Sequence, residues 1–315
     1  MNELPYNISW PDNRKFAFTV FDDTDLSTLE NTSEIYRFLF DLGIKITKSV
    51  WMLSGEKNVP NSGMTCEDPQ YLKWILSLKE QGFEIGWHLA SYTTSNRQTT
   101  INALDKFKDV FGEYPKAMAN HSQNLENIYW GSAKLSNPLI KLIYNLATRF
   151  KNHGRFKGHV RDSELFWGDI CKSRIRYCRN LQFRDINTLK ICPFIPYHDS
   201  ERKYVNLWFA SADGANLNSY NSLLSEHNQD RLESEGGACI VYTHLGAGFY
   251  QDKQLNTKFR SLMERLAEKA GWFVPVTELL DYLGKCQGRT HEITAPERSR
   301  LEYRWLKEKL IHGKS

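Results

Sequence analysis

Five side chains stand out as groups able to do chemistry: the adjacent carboxylates Asp22 and Asp23, and three imidazoles, His88, His121 and His244. Each directly follows an apolar stretch of β-forming residues. One Asp with two His is a ligand set for a hydrolytic zinc centre, in which three protein ligands leave a coordination position for water. Taken singly, each group has a plainer reading. Asp22 and Asp23 suit a solvated turn, with Asp25 capping the next helix. Any one His suits a hydrogen-bonded structural role.

The elements that must position these groups are legible from hydrophobic periodicity. Residues 15–21 (Lys-Phe-Ala-Phe-Thr-Val-Phe) are apolar on both faces, as in a strand of a buried parallel sheet. The acids mark where that strand emerges, because an unpaired buried charge is costly. In α/β folds the C-terminal mouth of the strands is where ligands bind. Strands are expected also over 44–53, 83–88, 114–120, 204–210, 238–243 and 272–275, the second, third and fifth of these ending at His88, His121 and His244. Helices are expected over 32–40, 68–82, 99–111, 138–150, 217–232, 253–270 and 277–283. Asp68-Pro69 is a helix start, and Thr294-Ala-Pro-Glu297 a capping box for a last helix carrying Leu301, Trp305 and Leu310. That last helix is expected on the outside of the domain or against a partner. Alternating strands and helices imply parallel strands with helices outside. All strand C-termini then share one side, so residues distant in sequence converge.

Composition is that of a globular chain: 315 residues, 41% hydrophobic, 25% charged, net charge +4. The charge is too small to argue for nucleic acid, and no apolar run is long enough to span a bilayer. The first residues, Met1-Asn-Glu-Leu-Pro-Tyr, lack the basic and apolar regions of a secretory signal, so a cytoplasmic location is expected. The six cysteines include no Cys-x-x-Cys pair and are expected to be free. The reading is a single domain over 1–315, with an irregular insertion at about 124–204 and a C-terminal helical extension at about 289–315. Between Lys141 and Asp185, eleven Lys and Arg stand against four acids. That run reads either as a solvated basic surface or as a phosphate-contacting insertion.

Three motifs resemble the polysaccharide deacetylases of the NodB-homology, carbohydrate esterase 4 group. Thr19-Val-Phe-Asp-Asp23 is similar to the family's Thr-Phe-Asp-Asp motif. Gly82-Phe-Glu-Ile-Gly-Trp-His88 is similar to its Gly-His-Glu-Ile-Gly-Asn-His segment, and Gly237-Ala-Cys-Ile-Val-Tyr-Thr-His244 to its last motif. The resemblance covers about residues 15–120 and 205–283. It implies a distorted (β/α) barrel of about seven parallel strands and a metal-dependent hydrolase removing N-acetyl groups from a sugar. By residue it implies Asp22 as general base, His244 as general acid, and Asp23 and His88 as ligands of a divalent metal, with zinc expected.

Two departures from the family shape the remaining expectations. The fourth residue after His88 is Tyr92 where the family has a second metal-binding His, and the Arg-x-Pro motif near residue 120 is absent. His121 is expected to supply the missing ligand or to hydrogen-bond substrate or Asp22. Tyr92 is expected as a weak ligand or a pocket wall, Asn120 as a neighbour of substrate, and Arg161 as a stand-in for the Arg that orients the base. Phe166-Trp-Gly-Asp169 offers Trp167 and Asp169 as a sugar-binding pair or as a packed Trp and a turn Asp. The expected substrate is an N-acylated sugar, nucleotide- or carrier-linked, from surface-polysaccharide synthesis. The alternatives are a catalytically degenerate carbohydrate-binding module, or a glycosidase-type barrel pairing Asp22 or Asp23 with Asp169.

Overall fold

The computed structural model describes residues 8–56 and 59–313. The stretch read for a secretory signal, residues 1–6, lies outside the described residues. Seven parallel strands close into a barrel: β1 (Phe16–Asp22), β2 (Thr47–Val50), β3 (Glu84–Trp87), β4 (Ala117–Met118), β5 (Tyr177–Phe183), β6 (Leu207–Asp213) and β7 (Ala238–Thr243). β7 pairs with β6 on one side and with β1 along Ala17–Asp22 on the other, which completes the ring. Every residue of β1 is buried, because the barrel interior covers one face and helices the other.

The strand count agrees with the expected fold, but the membership differs by one. Gly271–Phe273, here β8, pairs only with the first half of β1, at Phe16–Phe18, whereas β2 takes over at Phe21 and Asp22. The strand that completes the barrel is β5, from the stretch read as an irregular insertion. Its Arg179, Asn180 and Gln182 interrupt the apolar pattern, yet all three are buried. The register of β5 on β6 shifts between Arg179 and Gln182, a bulge that re-aims side chains at the mouth.

Helix α1 (Leu29–Asp41) starts at a capping box on Thr28 and buries Ile35, Tyr36 and Leu39 against the barrel. Helix α2 (Pro69–Glu80) is capped by Asp68, as the Asp-Pro pair predicts. The helix expected over 217–232 is two, Leu217–Leu223 and Glu226–Ser234. The C-terminal helix Ala295–His312 starts at the expected capping box and lies against β5 and helix Pro138–Ala147. Its buried Glu302 accepts hydrogen bonds from the Ser136 and Asn137 N–H groups at 2.7 and 2.9 Å, which satisfies donors at the start of Pro138–Ala147. All six cysteines are free. Among the described residues, no helix is long and apolar enough to cross a membrane.

Candidate metal and catalytic site

Side chains alternate along β1, and this separates the two adjacent acids. Phe21 packs against Phe209 of β6 across the barrel interior, with ring centroids 6.3 Å apart. Asp22, one residue on, faces the opposite way, into the layer beneath α1. Its Oδ2 accepts from Tyr36 Oη at 2.8 Å and Lys48 Nζ at 2.9 Å, and its Oδ1 accepts from the Leu245 N–H at 2.8 Å. Asp22 is fully buried and does not line the cleft. The structure therefore places the residue expected as base away from the reaction space.

The carboxylate that meets the imidazoles is Asp25, two residues beyond Asp23. Its Oδ1 lies 3.0 Å from His88 Nε2, and its Oδ2 lies 3.3 Å from His121 Nε2 and 3.8 Å from His244 Nε2. The far nitrogen of each ring is committed. His88 Nδ1–H donates to the Ala119 carbonyl at 3.2 Å, and His244 Nδ1–H donates to the Ala215 carbonyl at 2.7 Å. His121 Nδ1–H donates to Asn124 Oδ1 at 2.8 Å; the Asn124 amide is oriented by donating to the Ser91 and Thr93 carbonyls. Such outer partners fix the tautomer and leave each Nε2 facing inward.

This geometry tests the metal that the family resemblance implies. Neutral rings so fixed present Nε2 lone pairs to a carboxylate that has no proton to give. The buried His121 Nε2 has no hydrogen-bond partner among the described residues. Ligand atoms of Asp25, His88 and His121 all lie within 4.8 Å of one another, and all three residues are buried. Two imidazoles and one carboxylate around an orphaned acceptor fit a divalent cation of zinc's preferences. Burial pushes the Asp25 carboxyl up, but the surrounding His121, His88 and His244 imidazoles outweigh it and hold it well below its ordinary value, so it stays an anion able to ligate. Burial pushes His121 down, yet Asp25 leaves it above its usual value.

Asp23, expected as a ligand, stands 3.9 Å from His88 Nε2 and is gripped by a guanidinium. Arg179 Nη1 and Nη2 donate to its two oxygens at 2.7 and 2.5 Å, a buried bidentate pair. The guanidinium lies over the Tyr242 ring at 4.2 Å. Arg179 comes from the middle of β5 and points into the barrel. The exposed Arg161, expected to orient the base, does not line the cleft.

Asp23, Asp25, His88, His121, Arg179 and His244 form the floor of a cleft of about 810 Å³, a size that suits a small-molecule or oligomer-end substrate. Trp130, Lys134 and Trp305 stand in its wall. Lys134 is buried with its ammonium 3.2 Å above the Trp130 ring and 3.4 Å from the Asn180 carbonyl; neither partner is a carboxylate. Burial, with Lys309 and Arg179 adding to it, holds its pKa well below the ordinary lysine value.

Of the residues expected to touch substrate, only Asn120 lines the cleft, and both ends of its amide are bound to the Ile128 backbone at 2.9 Å. Tyr92 packs on Trp51 and donates to the Gly55 carbonyl at 3.2 Å. Trp167 is buried and donates to the Glu126 carbonyl at 2.7 Å. Asp169 pairs with Arg97 at 2.6 Å, outside the cleft. The carboxylate pair needed for the glycosidase reading is therefore not assembled. Sequence reasoning missed Asp25, which reads as a cap, and Arg179, whose signal is an Arg within a strand-length run of β-formers.

The fold is shared with solved structures at low identity. A Mycobacterium smegmatis protein assigned as a polysaccharide deacetylase is 12% identical, with a TM-score of 0.50 over 93% of this chain and 99% of that one. A Pseudomonas aeruginosa PAO1 protein assigned likewise is 10% identical, with a TM-score of 0.50 over 90% and 95%. Puue allantoinase is 10% identical, with a TM-score of 0.54 over 92% and 96%. No protein-family model and no curated protein matches the chain. The chain thus has the polysaccharide-deacetylase fold, in a form far diverged in sequence from these structures.

Proposed function

We propose that this protein is a metal-dependent hydrolase that removes an N-acyl group from a sugar. The observation that carries the reading is the convergence of Nε2 atoms from three strand ends on one buried carboxylate, Asp25. Asp25, His88 and His121 would hold the cation. When bound, a divalent cation supplies Lewis acidity at the scissile carbonyl. Asp23 acts as the general base, accepting a proton from the attacking water. Arg179 holds both Asp23 oxygens and so fixes which lone pairs face the cleft. His244, its Nδ1–H held by the Ala215 carbonyl, acts as the imidazolium, which carries a second proton on Nε2 and delivers it to the departing amine. The roles expected of Asp22 and Asp23 thereby pass to Asp23 and Asp25, the next acid along the chain in each case.

Substrate features follow from the cleft wall. Trp130 and Trp305 offer faces for apolar sugar surfaces. The buried Lys134, which has no carboxylate partner among the described residues, would take up its proton beside an anionic substituent such as a phosphate or uronate. This supports a nucleotide- or carrier-linked precursor of a surface polysaccharide.

Metal content and acetate release from N-acetylated amino sugars test the reading together. The purified protein is expected to hold one zinc or similar ion, to lose activity on chelation and to regain it on metal return. His88→Ala and Asp25→Ala are expected to lose the metal with the thermal transition retained, whereas Asp22→Asn keeps it. Full activity of metal-free protein would overturn the proposal.

A further inference from the structure

The segment between Glu126 and Asp162 holds seven Lys and Arg and no acid, in a chain whose net charge is only +4. Within it, helix Pro138–Ala147 turns Leu139, Leu142, Ile143 and Leu146 outward, 65%, 50%, 39% and 58% exposed, and Phe150 follows. Their spacing of three and four residues makes one continuous stripe. A surface helix normally shows polar residues to solvent. Here the inner face is occupied as well: Ile140 is buried and Tyr144 packs on Trp305 at 5.5 Å. The helix is also secured at its start by Asn137 and Glu302. The neighbouring end of the C-terminal helix adds exposed Leu310 and Ile311. Seven of the eleven exposed large apolar residues among those described therefore lie on two adjoining elements. Tyr144, Ala147 and Leu310 line the cleft too, so this surface borders its mouth.

An exposed apolar patch of this kind marks an interaction surface, and the surrounding charge selects the occupant. Arg149, Lys151, Arg155 and Lys307 are exposed around the stripe and Lys141 is half-buried beside it. A second copy docking through a twofold axis would set these like charges against themselves. A bilayer carrying anionic headgroups offers hydrocarbon for the stripe and negative charge for its rim. We propose that helix Pro138–Ala147 and the end of the C-terminal helix dock this protein on an anionic phospholipid bilayer, with the cleft mouth at the membrane surface. Docking is independent of the deacylase reading. If both hold, the substrate is a sugar carried on a membrane lipid.

Co-sedimentation of the full chain with vesicles tests the proposal, using phosphatidylcholine alone and phosphatidylcholine with phosphatidylglycerol. The protein is expected to pellet with the anionic vesicles only, and less so at high salt. Leu142→Glu with Leu146→Glu is expected to abolish pelleting without moving the thermal transition, since both residues are exposed. Lys141→Gln, Arg149→Gln and Lys151→Gln together are expected to weaken binding by about fivefold per charge, on the order of a hundredfold in all. Failure to pellet with either vesicle would overturn the proposal. So would equal binding to neutral vesicles, or a concentration-dependent dimer, dispersed by the two glutamates, in place of vesicle binding.

Discussion

Asp22 and the pair Asp23–Asp25 sit within four residues of one another, and all are buried, but they occupy opposite sides of the β1 wall. In the layer under α1, Asp22 meets a phenol, an ammonium and a backbone N–H, so its oxygens are saturated by the protein's own donors. In the barrel mouth, Asp25 meets imidazole nitrogens whose ring partners hold the far Nδ1–H, and one of those nitrogens, His121 Nε2, has no hydrogen-bond partner among the described residues. A buried charge by itself therefore does not mark a site. What marks it is lone pairs that the fold has aimed at one space and left uncompensated.

Paired substitutions break this comparison most sharply. Asp23→Asn is expected to lower the kcat of the folded protein by about 10²- to 10⁴-fold, the usual contribution of a general base, besides the stability it loses by stranding the buried Arg179 guanidinium. Asp22→Asn is expected to cost stability alone. It strands the Lys48 ammonium in the wall and costs about 3–5 kcal/mol of stability in denaturant titration, while the folded fraction keeps its kcat. Equal kinetic damage from both would erase the distinction between the two regions.

Glu126 is an intermediate case. One oxygen accepts from the Asn124 amide at 2.8 Å and the other has no hydrogen-bond partner among the described residues. Burial raises its pKa from 4.5 to about 7. The folded protein thus keeps a proton that the unfolded chain gives up. The associated stability is complete below about pH 4.5 and is lost as pH rises to about 7. The expected loss is on the order of 3 kcal/mol across that window. Unfolding free energies measured across it are expected to slope less in Glu126→Gln; an unchanged slope would place the titration elsewhere.

Arg179→Lys is expected to have the smallest effect. It keeps the charge beside Asp23 and removes the fork, so kcat falls by about 10- to 100-fold, as for loss of an orienting partner, with KM little changed. A loss carried by KM would assign Arg179 to substrate binding.

Much of the frame was legible because it is local. Alternation in 15–21, the Asp68-Pro69 start, the Thr294 capping box and the strand ending at His244 follow from short-range preferences that tertiary contacts only confirm. His88, His121 and His244 were found as strand ends, and their convergence followed from parallel pairing. Asp25 was hidden because a cap and a ligand look alike in sequence. Arg179 was hidden because β5 carries polar residues inward, and an inward Arg reads as a break in a strand until its partner is known.

By itself the sequence determined the alternating strands and helices, hence parallel strands whose C-terminal ends share one side, since hydrophobic period and caps act over a few residues. Only the tertiary structure decided which acid meets which imidazole. Two neighbouring side chains on a strand must face opposite ways, and whether Asp22 or Asp23 looks inward is settled by the closure of β1 between β2 and β7, not by the motif that contains them.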